Sequence, residues 1–307
     1  MSTRTQVGVV AAVAVQLLYG CSFAFTKSVT GSVDVITLLG WRFVAALAAM
    51  LALVAARVIK VRVTRATLGP LLLLAAFQPL AYYVGETFGV MRTTASEAAL
   101  IIAVIPVAMI VTAAIVVRRR PSRWQVAGVA VTLVGVAAVV VASRLSASFD
   151  LAGYAMLLAA VVAYALYAAF AERFAQTATD MDKTFVMVAV GALVFGGAAL
   201  GRHAADHTLG ALAALPVTQP GFAVAVAYLA LGSTIGAFFC QNVAISRLGS
   251  TRLSTFIGLS TVTTLTVGAL ALGEALSVAQ LTGGAVILAG VYLANRGQNG
   301  RNSHPDR

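Results

Sequence analysis

Ionisable side chains are scarce in this sequence, and their scarcity excludes a soluble globular protein. Charged residues make up 10% of the 307 residues and hydrophobic residues 60%, whereas about 25% of the residues in ordinary soluble domains are charged. The mean hydropathy is +0.95. The composition therefore predicts an integral membrane protein.

Catalytic and redox residues are also scarce. All three histidines lie outside the apolar runs and no Asp lies in the interior of a run, so the sequence lacks the Ser–His or paired-Asp sites of an intramembrane protease. It has no P-loop for ATP. Cys21 and Cys240 lie in apolar runs at different depths, so we expect free thiols. His203 and His207 would suit a metal only on a helix, and we favour a solvated loop. We predict that the protein is not an enzyme and carries no cofactor and no metal.

Long apolar runs are what the sequence does contain. Ten of them approach or exceed the roughly 20 residues needed to cross a bilayer. They lie near 7–29, 35–57, 68–90, 95–117, 123–143, 151–171, 182–201, 221–244, 250–272 and 277–295. The predicted fold is all-α, with ten transmembrane helices and no separate soluble domain.

The chain contains an internal repeat with an offset of 155 positions. Residues 122–136 and 277–291, aligned without a gap, are identical at eight of fifteen positions. Each copy has an odd number of spans, so the second copy enters the membrane from the opposite side and the repeats are inverted. We assign 7–143 to the first five-helix repeat, 150–295 to the second and 296–307 to a cytoplasmic tail.

Lys and Arg are unevenly distributed between alternate loops. Sixteen fall on the side of the N-terminus and four on the other side. Because cytoplasmic loops are enriched in Lys and Arg, both termini are predicted to be cytoplasmic. The net charge of +11 then forms a collar that faces anionic lipid, and we expect no nucleic-acid partner.

Local patterns predict where several helices begin. Capping boxes occur at Ser122–Gln125, Ser277–Gln280 and Thr94–Glu97. Glu274 precedes the tenth run, where a helix N-terminus favours an acid, so we interpret it as structural. Small residues in the fifth and tenth runs suit close helix packing, either within one chain or across a dimer.

Two charged residues at membrane depth are candidate site residues. Arg42 in the second run and Glu86 in the third lie at similar depths, and we expect them to pair, because such charges usually face the bundle interior with a partner. A substrate carboxylate competing for Arg42 would shift the protonation of Glu86 and couple transport to protons. The alternative is that Arg42 extends to the interface and Glu86 reaches interfacial water.

Polar and aromatic residues nearby extend this candidate site. Under the repeat offset, Glu86 corresponds to Gln241, which precedes Asn242; the two amides either line a cavity or hydrogen-bond helices together. The aromatic candidates are Tyr19, Tyr82, Tyr83, Tyr164 and Phe238. They either line a cavity suited to amino acids, aromatic metabolites or cationic drugs, or form an interfacial belt. Pro106 in the fourth run is either a hinge or a structural bend.

Three motifs and the five-plus-five layout resemble a known family. The motifs are LGEALSVAQLTGGAVILAGV (272–291), WRF (41–43) and RTTASEAALIIAVIPV (92–107). They look like the EamA-type transporters of the drug/metabolite transporter superfamily. The resemblance implies a secondary carrier of small metabolites or drugs, often an exporter, without a nucleotide cofactor. The chain departs from the family pattern at Arg118–Arg120, where an acidic turn is usual, and at Ser260–Thr261, where a proline matching Pro106 would lie.

These observations together predict a secondary active transporter of the cytoplasmic (inner) cell membrane. Its expected substrates are small metabolites, namely amino acids or related amphipathic compounds. The transporter is expected to export them, and proton coupling is a further hypothesis. The alternatives are an efflux carrier for cationic drugs and a membrane scaffold without transport. The expected partners are the substrate and membrane lipid, and the protein is either a monomer or a homodimer.

Overall fold

The computed structural model describes residues 3–116, 122–143, 150–274 and 277–302. Within these ranges the chain folds into helices, and the only extended pairing is an isolated bridge between Thr30 and Val33. Eight helical stretches are long and apolar enough to cross a membrane. Buried apolar side chains, such as Leu39, Leu157 and Phe238, form one large cluster between the helices. The all-α prediction is confirmed for the described residues.

The described residues form sixteen α-helices and three π-helical segments. The helices are α1 (Thr3–Ser28), α2 (Val35–Ala55), α3 (Arg65–Ala75), α4 (Tyr82–Arg92), α5 (Ala95–Ile102), α6 (Ile105–Val116), α7 (Arg123–Ser143), α8 (Leu151–Arg173), α9 (Asp180–Gly191), α10 (Gly197–Ala205), α11 (Leu209–Thr218), α12 (Pro220–Ala227), α13 (Ala237–Leu248), α14 (Ser250–Ser254), α15 (Ile257–Leu272) and α16 (Val278–Asn302). The π-helical segments are Ala76–Ala81, Ala192–Gly196 and Tyr228–Gly236.

Two long helical stretches are interrupted at corresponding places. The segment Ala76–Ala81 separates α3 from α4, and Gln78 inside it has non-helical angles (φ −139°, ψ 114°). Pro79 follows and has no amide hydrogen to donate. The segment Tyr228–Gly236, which separates α12 from α13, includes the positions that the repeat offset assigns to this break. Such interruptions free backbone and side-chain polar groups at the centre of the bundle.

The bend expected near Pro106 is present. Helix α5 ends at Ile102 and α6 begins at Ile105, which places Pro106 in the first turn of α6, where its missing amide hydrogen costs least. The second copy also breaks, between α14 and α15 at Thr255–Phe256, although no proline lies there. The hinge function of Pro106 stays a prediction.

The fifth and tenth apolar runs form α7 and α16, whose backbones touch. A Cβ added to Gly128 would lie 2.4 Å from the backbone nitrogen of Ala294, and one added to Gly135 would lie 2.7 Å from that of Ile287. Because later residues of α7 meet earlier residues of α16, the two helices are antiparallel. The small residues therefore pack within one chain, which settles one of the two alternatives left open above.

Parts of the second half differ from the sequence expectation. Arg202 and His203, expected in a solvated loop, belong to the end of α10, and α11 was not predicted. Side-chain contacts hold both helices against α2: Nε2 of His203 lies 2.9 Å from Oγ1 of Thr37, and Nε1 of Trp41 donates to the carbonyl of Leu212 (3.1 Å). Helix α16 continues to Asn302, past the predicted end at 295.

Polar contacts join helix ends at two places. At the first, called the Lys27 end (residues 27–34, 92–96, 150, 202–209 and 272–274), Nζ of Lys27 donates to the carbonyls of Val90, Met91 and Thr93. Glu274 accepts from the amides of Ala95 (2.8 Å) and Ser96 (2.9 Å). Its role is therefore structural, as interpreted, but it caps α5 rather than the helix that follows it.

At the other place, called the Asp180 end (residues 56–64, 172–183 and 246–250), the contacts join different helices. The backbone amide of Arg62 donates to Asp182 Oδ1 (2.7 Å), and the hydroxyl of Ser246 donates to Asp180 Oδ2 (2.9 Å). Glu172 accepts from the amide of Ser250 (3.2 Å).

The three predicted capping boxes are confirmed by reciprocal bonds at Ser122–Gln125, Ser277–Gln280 and Thr94–Glu97.

Candidate functional site

Arg42 is a buried cation held by neutral groups. Its side chain is among the largest fully buried ones, with 1% of the residue exposed. Nε donates to Oγ1 of Thr234 (2.7 Å), and Nη2 donates to Oγ of Ser233 (2.8 Å). The guanidinium carbon lies 4.1 Å from the centroid of the Tyr83 ring, a cation–π distance. Nη1 donates no hydrogen bond to the described residues.

Glu86 is the second buried charge. It is 2% exposed, and one of its oxygens accepts from the hydroxyl of Thr87 (2.9 Å). Glu86 lies on α4 three residues after Tyr83, so the two side chains share one face of the helix. The Tyr83 ring on this face is the one that contacts the Arg42 guanidinium. The direct ion pair expected between Glu86 and Arg42 is not formed, since no described ion pair within 4.0 Å includes either residue.

The physical reason lies in the interrupted helix beside Arg42. The π-helical segment Tyr228–Gly236 presents the Ser233 and Thr234 hydroxyls to the guanidinium, and these neutral acceptors replace the carboxylate. Burying an ion without a counter-ion is costly. Arg42 and Glu86 are therefore two buried ionisable side chains that form no ion pair with the described residues.

A closed ring of hydrogen bonds lies next to these two side chains. Tyr19 Oη donates to Gln241 Oε1 (2.8 Å), Gln241 Nε2 donates to Gln78 Oε1 (2.9 Å), and Gln78 Nε2 donates to Tyr19 Oη (3.1 Å). The Tyr164 hydroxyl also donates to Gln241 Oε1 (3.3 Å). The ring joins α1, the interrupted stretch before α4, and α13. Buried networks with every member satisfied specify one arrangement.

Asn242, the residue after Gln241, takes part in a second set of buried hydrogen bonds. The hydroxyl of Tyr167 donates to Asn242 Oδ1 (2.9 Å), and Asn242 Nδ2 donates to Oγ1 of Thr184 (3.2 Å). Thr184 in turn donates to the carbonyl of Asp180 (2.8 Å). The amides of Gln241 and Asn242 thus hydrogen-bond helices together, and the contacts of Asn242 reach the Asp180 end of the bundle.

Aromatic side chains surround Arg42 and the hydrogen-bonded ring of Tyr19, Gln78 and Gln241. Tyr82 lies 5.1 Å from Tyr83 and 5.7 Å from Tyr164 between ring centroids, and Tyr83 lies 5.8 Å from Phe238. All four are buried, and so is Tyr19. The structure therefore brings together every predicted site residue except Pro106, and the tyrosines form a central cluster rather than an interfacial belt. Phe239, adjacent to Phe238, is 38% exposed and lies outside this cluster.

Sequence reasoning missed several members of the site. They are Gln78, Tyr167, Thr184, Ser233 and Thr234. Two signals were available. The repeat offset assigns Gln78 to Ser233, so both copies have a polar residue at the break, and Tyr167 follows Tyr164 by three residues, which puts both on one helix face. The contact of Ser233 and Thr234 with the Arg42 guanidinium depends on packing and has no sequence signal.

Comparisons with known proteins place this architecture among transporters. A model described as the EamA-like transporter family matches residues 6–141 and 151–296. An uncharacterized transporter, YcxC, from Bacillus subtilis (strain 168) is 29% identical over 287 residues, which cover 93% of this chain and 92% of that protein. A protein of known crystal structure superposes with a TM-score of 0.60 at 20% identity, over 95% of this chain and 96% of the other; this likeness concerns the fold alone.

Proposed function

This chain belongs to the EamA-like transporter family, and from that premise we propose that it is a secondary active exporter of amino acids or related amphipathic metabolites, coupled to protons through Glu86. The family and the transporter-named relative indicate a multi-pass membrane protein that transports small molecules rather than an enzyme. The substrate, direction and coupling are our proposal.

We propose that the chain crosses the cytoplasmic membrane ten times, as two inverted five-helix repeats (7–143 and 150–295) with both termini inside. Two observations support this layout. Helices α7 and α16, which the offset equates, are antiparallel, as inverted copies require. The contacts at the Lys27 end and at the Asp180 end each join helix ends that ten alternating crossings put on one side. The Asp180 end is then cytoplasmic.

The observation that carries the substrate class is the unpaired state of Arg42 and Glu86. The guanidinium of Arg42 suits a carboxylate, because guanidinium and carboxylate match in geometry and charge. Glu86 suits an ammonium group on the same molecule. The rings of Tyr82, Tyr83, Tyr164 and Phe238 surround the apolar part of such a zwitterion. An amino acid satisfies both buried charges together, which neither a simple cation nor an anion does.

Proton coupling follows from the position of Glu86, about two turns from the Lys27 end of α4. In the state open to the outside, a proton that binds Glu86 removes the partner of the substrate ammonium, so the amino acid leaves. The transporter, with Glu86 protonated, then returns to the inward-open state, where Glu86 releases the proton to the cytoplasm. A new ammonium binds the carboxylate, and the cycle exchanges one substrate for one proton.

The test measures flux in proteoliposomes with an imposed pH gradient. Labelled amino acids and cationic dyes form separate pools, and wild type is compared with Glu86→Gln. We expect gradient-driven movement of amino acids that is lost in Glu86→Gln, because the neutral glutamine, like protonated Glu86, leaves the substrate ammonium without its carboxylate partner. Glu172→Gln, a matched change at the Asp180 end, should leave the pH dependence unchanged. Normal pH dependence in Glu86→Gln would refute the coupling.

A second candidate is the efflux of cationic compounds, which the buried tyrosine cluster favours through cation–π contacts. Arg42→Gln separates the two: it should abolish amino-acid flux, whereas a dye carrier should keep or gain activity because a buried cation is removed. A scaffold without transport predicts that neutral replacements of Arg42 and Glu86 change only folding.

We propose that the protein acts in the lipid bilayer as a monomer or a homodimer, since α7 and α16 use their small-residue faces within one chain.

A further inference from the structure

A cavity of about 710 Å³ lies at the Asp180 end, apart from Arg42 and Glu86. Its wall is formed by the residues before and within α3, the connection between α8 and α9, the start of α9 and the end of α13. The lining residues include Arg62, Gln176, Thr177, Asp180, Asp182 and Arg247. Under the proposed orientation this cavity opens toward the cytoplasm.

The acids in the cavity wall are already neutralised or hydrogen-bonded within the protein. Asp180 accepts from the ammonium of Lys183 (3.3 Å) and the hydroxyl of Ser246 (2.9 Å). Asp182 accepts from the hydroxyl of Thr179 (2.7 Å) and from the backbone amide of Arg62 (2.7 Å). Neither carboxylate forms an ion pair with Arg62 or Arg247 among the described residues.

The donors in the same wall are unused. The guanidinium groups of Arg62 and Arg247 make no ion pair and no hydrogen bond with the described residues, and both side chains are exposed. The side chains of Gln176 and Thr177 likewise have no hydrogen-bond partner among the described residues. Two guanidinium groups, an amide and a hydroxyl around one cavity form a set of donors whose complement is an anion.

We propose that this cavity binds the carboxylate of the substrate before the substrate reaches Arg42, as a second and weaker site. The inference rests on the proposed function, because it assumes a carboxylate substrate that enters from this end. Asp180 is the link: its side chain lines the cavity, and its carbonyl accepts from Thr184, whose hydroxyl accepts from Asn242, the residue next to Gln241 of the central hydrogen-bonded ring. The phosphate of an anionic lipid has the same chemistry, so the test separates these two sources.

The test measures how fast a cysteine in the cavity reacts with a thiol reagent. Ala178, which also lines the cavity, is replaced by Cys (Ala178→Cys) in a Cys21→Ala, Cys240→Ala background, and the protein is reconstituted in phosphatidylcholine vesicles. Its reaction with N-ethylmaleimide, which is neutral and permeates membranes, is followed with sodium acetate, methylammonium chloride or sodium chloride on both sides at equal ionic strength. We expect acetate to slow the reaction about threefold, the effect of a partly solvated charge pair, and methylammonium to have no effect.

Two variants identify the cations responsible. Arg62→Gln with Arg247→Gln should abolish the protection by acetate. Arg65→Gln with Arg252→Gln, which removes two exposed cations that lie beside the Asp180 end in the sequence and do not line the cavity, should preserve it. Equal labelling in detergent-denatured samples verifies that each variant contains the same amount of reactive thiol, and monodisperse elution verifies the fold.

Each outcome decides the proposal. Protection by acetate that requires Arg62 and Arg247 supports it. Protection that appears only when phosphatidylglycerol is added, without acetate, would show that a lipid phosphate occupies the cavity and overturn the substrate site. No protection by any anion would overturn the site altogether. Labelling requires no transport, so a failure of Glu86 coupling leaves this result unaffected, and a failure here leaves the central site standing.

Discussion

Removing the carboxylate of Glu274 tests whether a side chain from the second half of the chain holds the start of α5. The carboxylate accepts from two successive amides, those of Ala95 and Ser96, at 2.8 and 2.9 Å. These amides belong to the first turn of α5, where no intrahelical acceptor exists. Thr94 and Glu97 satisfy other groups of the same turn, so Glu274→Ala leaves two amides without their acceptor.

The magnitude follows from these contacts. A hydrogen bond to a charged group contributes roughly 1.5–3 kcal/mol, and a favourable charge at a helix N-terminus adds about 0.3–1 kcal/mol. Glu274 is partly exposed, so water replaces part of what is lost. We expect Glu274→Ala to lower the free energy of unfolding by about 2 kcal/mol, and Tm by about 3 °C for a chain of 307 residues. Glu274→Gln keeps an acceptor and should lose about half as much.

Thermal unfolding in detergent, followed by scanning fluorimetry, measures the effect. The control is Arg92→Ala, which breaks an exposed ion pair at the same end: Nη1 of Arg92 lies 3.0 Å from Oδ2 of Asp150, with side chains 48% and 34% exposed. Such pairs contribute at most about 1 kcal/mol, so Tm should fall by about 2 °C or less. A Glu274→Ala protein no less stable than Arg92→Ala would refute the reasoning.

Two further predictions concern packing and pH. Gly128→Ala should destabilise the protein by about 1–3 kcal/mol in the same assay, because its Cβ would meet the backbone of Ala294; Gly201→Ala, with nothing within 4 Å, should stabilise by about 0.5–1 kcal/mol. Burial raises the pKa of Asp34, but hydrogen bonds from Thr37 and the charge of Arg202 outweigh it, and the pKa lies below the ordinary 3.8. The stability from Asp34 is therefore present above pH 3.8 and lost as the pH falls through the lowered pKa, so the Tm difference between wild type and Asp34→Asn should shrink over about pH 5 to 2; a constant difference would contradict it.

Much of the architecture follows from local pattern. Apolar run length predicts helices because a buried backbone must satisfy its own hydrogen bonds, and the three capping boxes formed as expected because each involves residues three apart. The breaks were less legible. Pro106 marks one, but the break at Thr255–Phe256 has no proline, and the extra helix α11 was not predicted.

The candidate site was predicted as a set of residues but not as a set of contacts. Tyr19, Tyr82, Tyr83, Tyr164 and Gln241 lie together in the bundle interior, since polar and aromatic residues at membrane depth turn away from lipid. The expected pair of Arg42 and Glu86 did not form. Depth along a span predicts which residues share a level, whereas the partner of a guanidinium depends on the rotation of each helix, and here α2 faces Ser233 and Thr234.

The sequence by itself determined that this protein is an all-helical membrane protein with two related halves and few buried charges, because composition, run length and the 155-residue offset are properties of the chain alone. Only the tertiary structure decided that α7 and α16 pack against each other within one chain, that Glu274 caps α5, and that Arg42 donates hydrogen bonds to Ser233 and Thr234. These are contacts between residues far apart in sequence, and they depend on how the helices pack rather than on any local preference.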